Sequence, residues 1–313
     1  DSTQNKSPHS IPIDTQHTEL KEVTPLQYEM LRQCDEENDP WTTQLELYLV
    51  STPELPITNL SLQESAAQLF VRHQALRAGF LPNQAATFIP HAINLDWQSL
   101  DWRHKPIAEQ EELLIPLREE WYQHRFQLHR PPLLRFMAIR HTDNHWRLLV
   151  NSHHLLLDGW SVPRILNEWL GGACGMPPTE EPLLRWTNYL DELQTQERHL
   201  AQCYWNNSLQ GLALPSLLRP SRHTRSPSKD VCAAISPHHS RDLINAVRAA
   251  GVSSASLYQL AWAKTLAVKL GHADVVFGLF DSGRAIPIDG VTSLVGLVTQ
   301  LLPVRIDTAN PQS

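Results

Sequence analysis

No stretch of this 313-residue chain approaches the ~20 consecutive apolar residues that a membrane-crossing helix needs, although 42% of its residues are hydrophobic. The opening run DSTQNKSPHSIPIDTQHTEL lacks the apolar core of a secretory signal. Cysteine is scarce. Cys34, Cys174, Cys203 and Cys232 are scattered without CxxC spacing, which argues against a disulfide framework and reads as reduced thiols of a cytoplasmic protein. Basic residues are outnumbered, 26 Lys and Arg against 33 Asp and Glu. The net charge of −7 and isoelectric point near 6.1 weigh against nucleic acid or an anionic membrane as partner. No internal repeat is present. What is left is a chain long enough to bury a large core, and more naturally two. Ten tryptophans supply packing anchors, with a few to line grooves.

One stretch stands out: Asn151-Ser152-His153-His154-Leu155-Leu156-Leu157-Asp158-Gly159-Trp160-Ser161. Upstream, Trp146, Leu148 and Val150 alternate with Arg147, Leu149 and Asn151, close to the period of a half-buried strand. If that strand runs on, His154 shares the face of Trp146, Leu148 and Val150, and His153 points the other way. Downstream, Val162, Ile165, Leu166, Trp169 and Leu170 recur at helical spacing. Ser161 is placed as an N-cap, and Pro163 is tolerable in a first turn. One imidazole is therefore held among apolar neighbours at a strand-to-helix junction. A metal centre on this pair is disfavoured, because adjacent strand residues project to opposite faces, and no metal ligands are expected. A satisfied core histidine and a base or proton-positioning group both remain open. Asp158 would stiffen the turn by pairing with an arginine, Arg77 first and Arg72 second.

Around this centre the pattern is regular. Residues 1–20 read as a flexible leader. Thr24 caps a helix that Pro25 opens, and Gln44 to Val50 reads as a strand. Ser61-Leu62-Gln63-Glu64 reads as a capping box, opening a helix that ends near Arg72-His73. Residues 107–124 form a charged helix that Pro116 should kink or split. A strand from Leu133 to Ile139 pairs across Thr142-Asp143-Asn144 with the strand Trp146 to His154. The run GGACGMPPTEE at 171–181 breaks all periodicity and marks a lobe boundary. One long helix from Arg185 to Trp205 follows, its aromatics read as core, and then an extended solvated connection at 214–230. His238-His239 lies beside a surface helix and receives no chemistry. An apolar helix to Leu270 and strands at Val275–Gly278 and Val298–Arg305 close the chain.

Five ordered motifs resemble those of the condensation domains of non-ribosomal peptide synthetases, acyltransferases shaped like chloramphenicol acetyltransferase. They are Thr24-Pro25-Leu26-Gln27; Arg72 to Phe80, similar to RHxxLRTxF with Ala78 for the usual threonine; and His153 to Gly159, as HHxxxDG. The fourth is the helix carrying Tyr189 and Tyr204-Trp205. The fifth is Asp281-Ser282-Gly283-Arg284 with Val295 to Arg305, where Thr299 and Gln300 replace the usual Asn-Thr. The resemblance spans nearly all of residues 21–307 and implies an α/β class, a two-lobed, V-shaped sandwich. Residues 21–172 would form the first lobe and 173–313 the second, apparently incomplete because the sixth and seventh motifs are absent.

The same resemblance implies a tunnel between lobes where an amine attacks a thioester to form a peptide bond. Both substrates would ride on phosphopantetheine arms of donor and acceptor carrier domains, with an adenylation domain as neighbour and no cofactor bound by this chain. It gives His154 the proton, Gly159 the developing oxyanion, and structural roles to His153, Asp158, Arg77 and Arg72. Trp160, Ser161, Ser282 and Gln300 would face the tunnel. Heterocyclising relatives carry DxxxxD and plant acyltransferases DFGWG, neither of which is found. The run HHLLLDGWSVP leans toward members that take a D-configured donor. Two other functions stand beside this one: a non-catalytic docking platform of the same fold, and a stand-alone acyltransferase using acyl-CoA.

Overall fold

A computed structural model describes residues 19–34, 39–178, 184–195, 198–212 and 232–309. The leader read at 1–20 lies outside these as far as residue 18, the boundary run at 171–181 in part, and the connection at 214–230 entirely. By contacts the chain falls into two compact units. One draws on Asp1–Gln196 and Ser282–Gln300, the other on Glu197–Asp281 and Leu301–Ser313.

The first unit is built on a four-stranded mixed sheet. Strand β2 (Thr42–Val50) pairs antiparallel with β7 (His145–His153), β7 with β6 (Leu134–Arg140), and β6 runs parallel to β5 (Asp96–Asp101). Helices α2 (Asn59–Arg72) and α4 (Ser161–Ala173) cover one face, where Trp146, Leu148 and Val150 meet Leu62, Leu69, Ile165 and Trp169. Helix α3 (Ile107–Gln123) covers the other, bringing Leu114 and Trp121 onto Met137, Ile139 and Leu149. Both faces of β7 are thus buried, which is why its alternation carries Leu149 among the polar positions. A smaller sheet of β1 (Leu20–Glu22), β4 (Ala86–Phe88) and β3 (Gly79–Leu81) completes this layer arrangement. Helix α5 (Trp186–Thr195) packs Trp186, Tyr189 and Leu190 on Val291, Leu294 and Val298.

The first helix shows how sequence reaches the centre. Thr24 and Gln27 form a reciprocal capping box at the start of α1 (Pro25–Gln33). Gln27 Nε2 also donates to the Leu155 carbonyl at 2.9 Å, fastening α1 to the turn beyond the histidine pair. The second unit contains α6 (Arg198–Ser208), α7 (Pro237–Ala249), α8 (Ser254–Leu270) and a two-stranded sheet of β8 (Asp274–Asp281) and β9 (Gln300–Asp307). Ala263, Leu266 and Val275 form its small core, and Arg305 holds Asp274 at 2.7 Å.

Three local expectations change. Helix α2 starts at Asn59, because Thr58 and Ser61 cap each other, so Ser61 is the reciprocating partner and not the cap. Helix α3 runs through Pro116 unbroken, pinned to the sheet by Leu114 before it and Trp121 after it. Within the long helix expected at 185–205, α5 and α6 are helical, and residues 196 and 197 between them lie outside the described set. Trp186 and Tyr189 are core, whereas Tyr204 is 62% exposed.

Candidate active site

The two histidines of the central stretch have opposite surroundings. Strand β7 ends at His153, whose register partner Thr42 is the first residue of β2. His154 therefore lies in the turn beyond the strand, not on the face of Val150, and its amide donates to the Trp41 carbonyl at 2.9 Å. His153 is wholly buried. Its Nδ1 accepts from the Leu155 amide at 3.1 Å, which puts the ring proton on Nε2, 3.2 Å from Asp39 Oδ1. Burial pushes the Asp39 carboxyl up, but His153, the Trp41 amide and the Thr42 hydroxyl outweigh it and hold it at about 2. The His154 ring is only partly buried and stands edge-on to Trp41, centroids 6.1 Å apart. Its Nδ1 has no hydrogen-bond partner among the described residues. One imidazole is locked and the other is left available.

Four residues past His154 the chain is clamped. Asp158 Oδ2 receives Arg284 Nη1 at 2.7 Å, the Val298 and Thr299 amides at 3.1 and 3.2 Å, and Thr299 Oγ1 at 3.2 Å. Oδ1 receives the Ser161 amide and hydroxyl at 2.8 Å each and Arg284 Nη2 at 3.2 Å. Burial raises the Asp158 carboxyl, yet the Arg284 guanidinium and Ser161 pull it below its ordinary value. A carboxylate so saturated holds a turn and has no capacity left to take a proton from substrate.

The arginine pairing expected from sequence is therefore corrected: Arg284, not Arg77 or Arg72, neutralises Asp158. Arg77 donates to the carbonyls of Phe70, Val71 and Pro90, closing the end of α2 onto the loop before β5. Arg72 Nε lies 3.2 Å from Glu168 Oε2, which also receives His73 at 2.6 Å, while Arg164 meets Oε1 at 3.2 Å. This carboxylate, lowered from its usual range by His73, Arg72 and Arg164 against the effect of burial, ties α2 to α4. Arg284 stands in the Asp281–Arg284 motif, so its sequence signal was present. Its partner was not, since a separation of 126 residues has no periodicity.

The positions read as tunnel-facing divide. Ser161 is corrected: it is the first residue of α4 and fully buried, its hydroxyl enclosed by Asp158, Arg284 and Gly296. Asp158 takes the capping role assigned to it, by accepting the Ser161 amide. Trp160 is 58% exposed, with its indole N–H on the Thr292 carbonyl at 3.2 Å. Ser282 is exposed and orients Arg284 through its hydroxyl and carbonyl. Gln300 hydrogen-bonds Tyr189, whose phenol burial pushes up to about 12. Gly159 is exposed, and among the described residues no backbone carbonyl accepts from its amide.

The family model described as "Condensation domain" matches residues 18–313. One protein of the linear gramicidin synthase of Brevibacillus parabrevis is 30% identical over 259 residues, 78% of this chain and 3% of that protein. A second protein of the same synthase is 31% identical over 303 residues, 91% of this chain and 6% of that one. The chain thus spans only a few per cent of the length of these relatives. A solved condensation domain from the Monacolin K polyketide synthase MokA aligns with a TM-score of 0.72 at 17% identity, covering 94% of this chain and 69% of that one. Among the described residues no helix is long and apolar enough to cross a membrane.

Proposed function

Because this chain belongs to the condensation-domain family, we propose that it joins a donor acyl or peptidyl thioester to the amine of an acceptor aminoacyl thioester, forming an amide. Both substrates are carried on the phosphopantetheine arms of carrier domains, with an adenylation domain as neighbour. The observation that carries this reading is the contrast between the two histidines: His153 is bound at both nitrogens, and His154 presents a partly exposed ring. A ring nitrogen can accept a proton or hold one in place, so His154 takes or positions the proton of the attacking amine. The carbonyl carbon passes through a tetrahedral species, the thiol leaves, and the amine proton goes to His154 and then to solvent or the leaving thiolate. Holding amine and thioester side by side removes much of the entropic barrier. The exposed amide of Gly159, just ahead of α4, is the donor proposed for the developing oxyanion.

The clamp fits this role. It fixes the turn that bears His154 with a carboxylate that is itself chemically silent. A single-turnover assay with loaded donor and acceptor carrier proteins tests the reading. Amide product from the chain, lost in His154→Ala while carrier binding persists, supports it. Carrier binding without product from the unaltered chain overturns it in favour of a docking platform. Product from free acyl-CoA overturns the carrier-borne substrate.

A further inference from the structure

Behind the histidine pair, three side chains from separate segments converge: Cys34 just after α1, Asp39 just ahead of β2, and His153 at the end of β7. Cys34 Sγ lies 3.9 Å from His153 Nε2 and 4.0 Å from Asp39 Oδ1, and those two atoms are 3.2 Å apart. A tetrahedral zinc ion, with bonds of roughly 2.0–2.3 Å to sulfur, nitrogen and oxygen, holds such atoms about 3.3–3.6 Å from one another. The three donors therefore stand within about half an ångström of zinc spacing before any ion arrives. Thiolate, imidazole and carboxylate together suit a borderline-soft divalent ion, whereas magnesium and calcium call for oxygen alone. The carboxylate is already oriented from behind. Trp41 N–H donates to Oδ1 at 3.0 Å and the Thr42 hydroxyl to Oδ2 at 2.8 Å, the kind of outer support that metal-binding carboxylates have.

We propose that Cys34, Asp39 and His153 form a zinc-binding site, with water in the fourth position, and that filling it releases the hydrogen bond fixing the turn beneath His154. Cys34 binds as thiolate and gives one proton to solvent. His153 binds through Nε2, so the ring proton now held there moves to Nδ1, and the imidazole stays neutral. At Nδ1 that proton meets the Leu155 amide, which at present donates to the same nitrogen at 3.1 Å. Two donors then oppose each other, and the amide next to His154 must swing away. Losing one buried backbone hydrogen bond costs much less than three metal–ligand bonds yield, so zinc wins and the turn gives. The consequence for rate rests on the proton-handling role of His154 proposed above; the binding site does not.

Cobalt is the probe, because a thiolate on tetrahedral Co²⁺ gives a near-ultraviolet charge-transfer band. Cys203 Sγ and His199 Nε2 lie 3.6 Å apart on an exposed face of α6, so the titration is done in Cys203→Ala. One equivalent of Co²⁺ is expected to produce the band, Zn²⁺ to displace it, and Cys34→Ala in the same background to abolish it. No band in Cys203→Ala, or an unchanged band after Cys34→Ala, overturns the site. Equimolar Zn²⁺ is further expected to slow condensation by about tenfold or more, the scale of a misplaced proton-handling group. Condensation by Cys34→Ala should be indifferent to added Zn²⁺. Cobalt binding with a rate indifferent to zinc overturns the coupling to His154. A chain that makes no amide with or without metal overturns the functional reading alone, since the cobalt band stands apart from it.

Discussion

Asp158 and Arg284, separated by 126 residues in sequence, meet at 2.7 Å with side chains 2% and 3% exposed. A buried ion pair adds little net stability over an apolar pair of similar shape, but removing one partner strands the other. Arg284→Ala is therefore expected to cost about 3–5 kcal/mol in chemical denaturation, and adding Asp158→Asn to recover part of that. Arg77 makes no contact with Asp158, so Arg77→Ala and Asp158→Asn should add within about 0.5 kcal/mol. A strong coupling between Asp158 and Arg77 would contradict the geometry.

The adjacent histidines should separate stability from activity. His153→Ala removes two buried hydrogen bonds and leaves Asp39 without its imidazole partner, a loss of about 2–4 kcal/mol. His154→Ala, at a ring without a partner for Nδ1, should shift stability by less than about 1 kcal/mol while lowering the condensation rate by about 10²–10⁴-fold. Equal destabilisation by the two substitutions would show that His154 is only a packing residue.

Gly283 sits at φ +68°, and a Cβ there would run into the Val298 carbonyl, next to the amides that hold Asp158. Gly283→Ala combines left-handed strain with that collision and is expected to cost about 2–4 kcal/mol. A Cβ at Gly159 would meet nothing within 4 Å. Gly159→Ala should therefore keep the fold, with a thermal midpoint within a few degrees of the parent, about 2–4 °C per kcal/mol for a chain of this size.

Glu168 and Asp158 both have carboxyls lowered in the folded chain, so each binds its proton less readily than when unfolded. Their stabilisation is complete above the unfolded carboxylate values of about 4 and is lost as pH falls through the lower folded ones. The stability curve should fall steeply on the acid side of pH ~4. Glu168→Gln, measured by urea unfolding across that range, should flatten the fall and cost about 1–3 kcal/mol at neutral pH. An unchanged acid limb would mean that Glu168 does not tie α2 to α4 electrostatically.

Much of this was legible in the residues. Alternation along Trp146 to Val150 and the 3.6-residue recurrence through Ile165 and Trp169 fixed a strand and a helix, because local periodicity reports which face is buried. Thr24 with Gln27 announced a helix start for the same local reason, although the grip of Gln27 on Leu155 was silent. The turn past the strand was harder. His154 continues the alternation, and only the end of pairing at Thr42 shows that the strand has stopped.

The sequence by itself determined the element types, the family resemblance and the pair of histidines in which chemistry had to be sought. Tertiary structure decided which arginine neutralises Asp158, which histidine is bound at both nitrogens and which keeps a partly exposed ring, and that Cys34 and Asp39 stand beside His153. Those are contacts between groups far apart along the chain. No local period encodes them, because they depend on where whole elements pack.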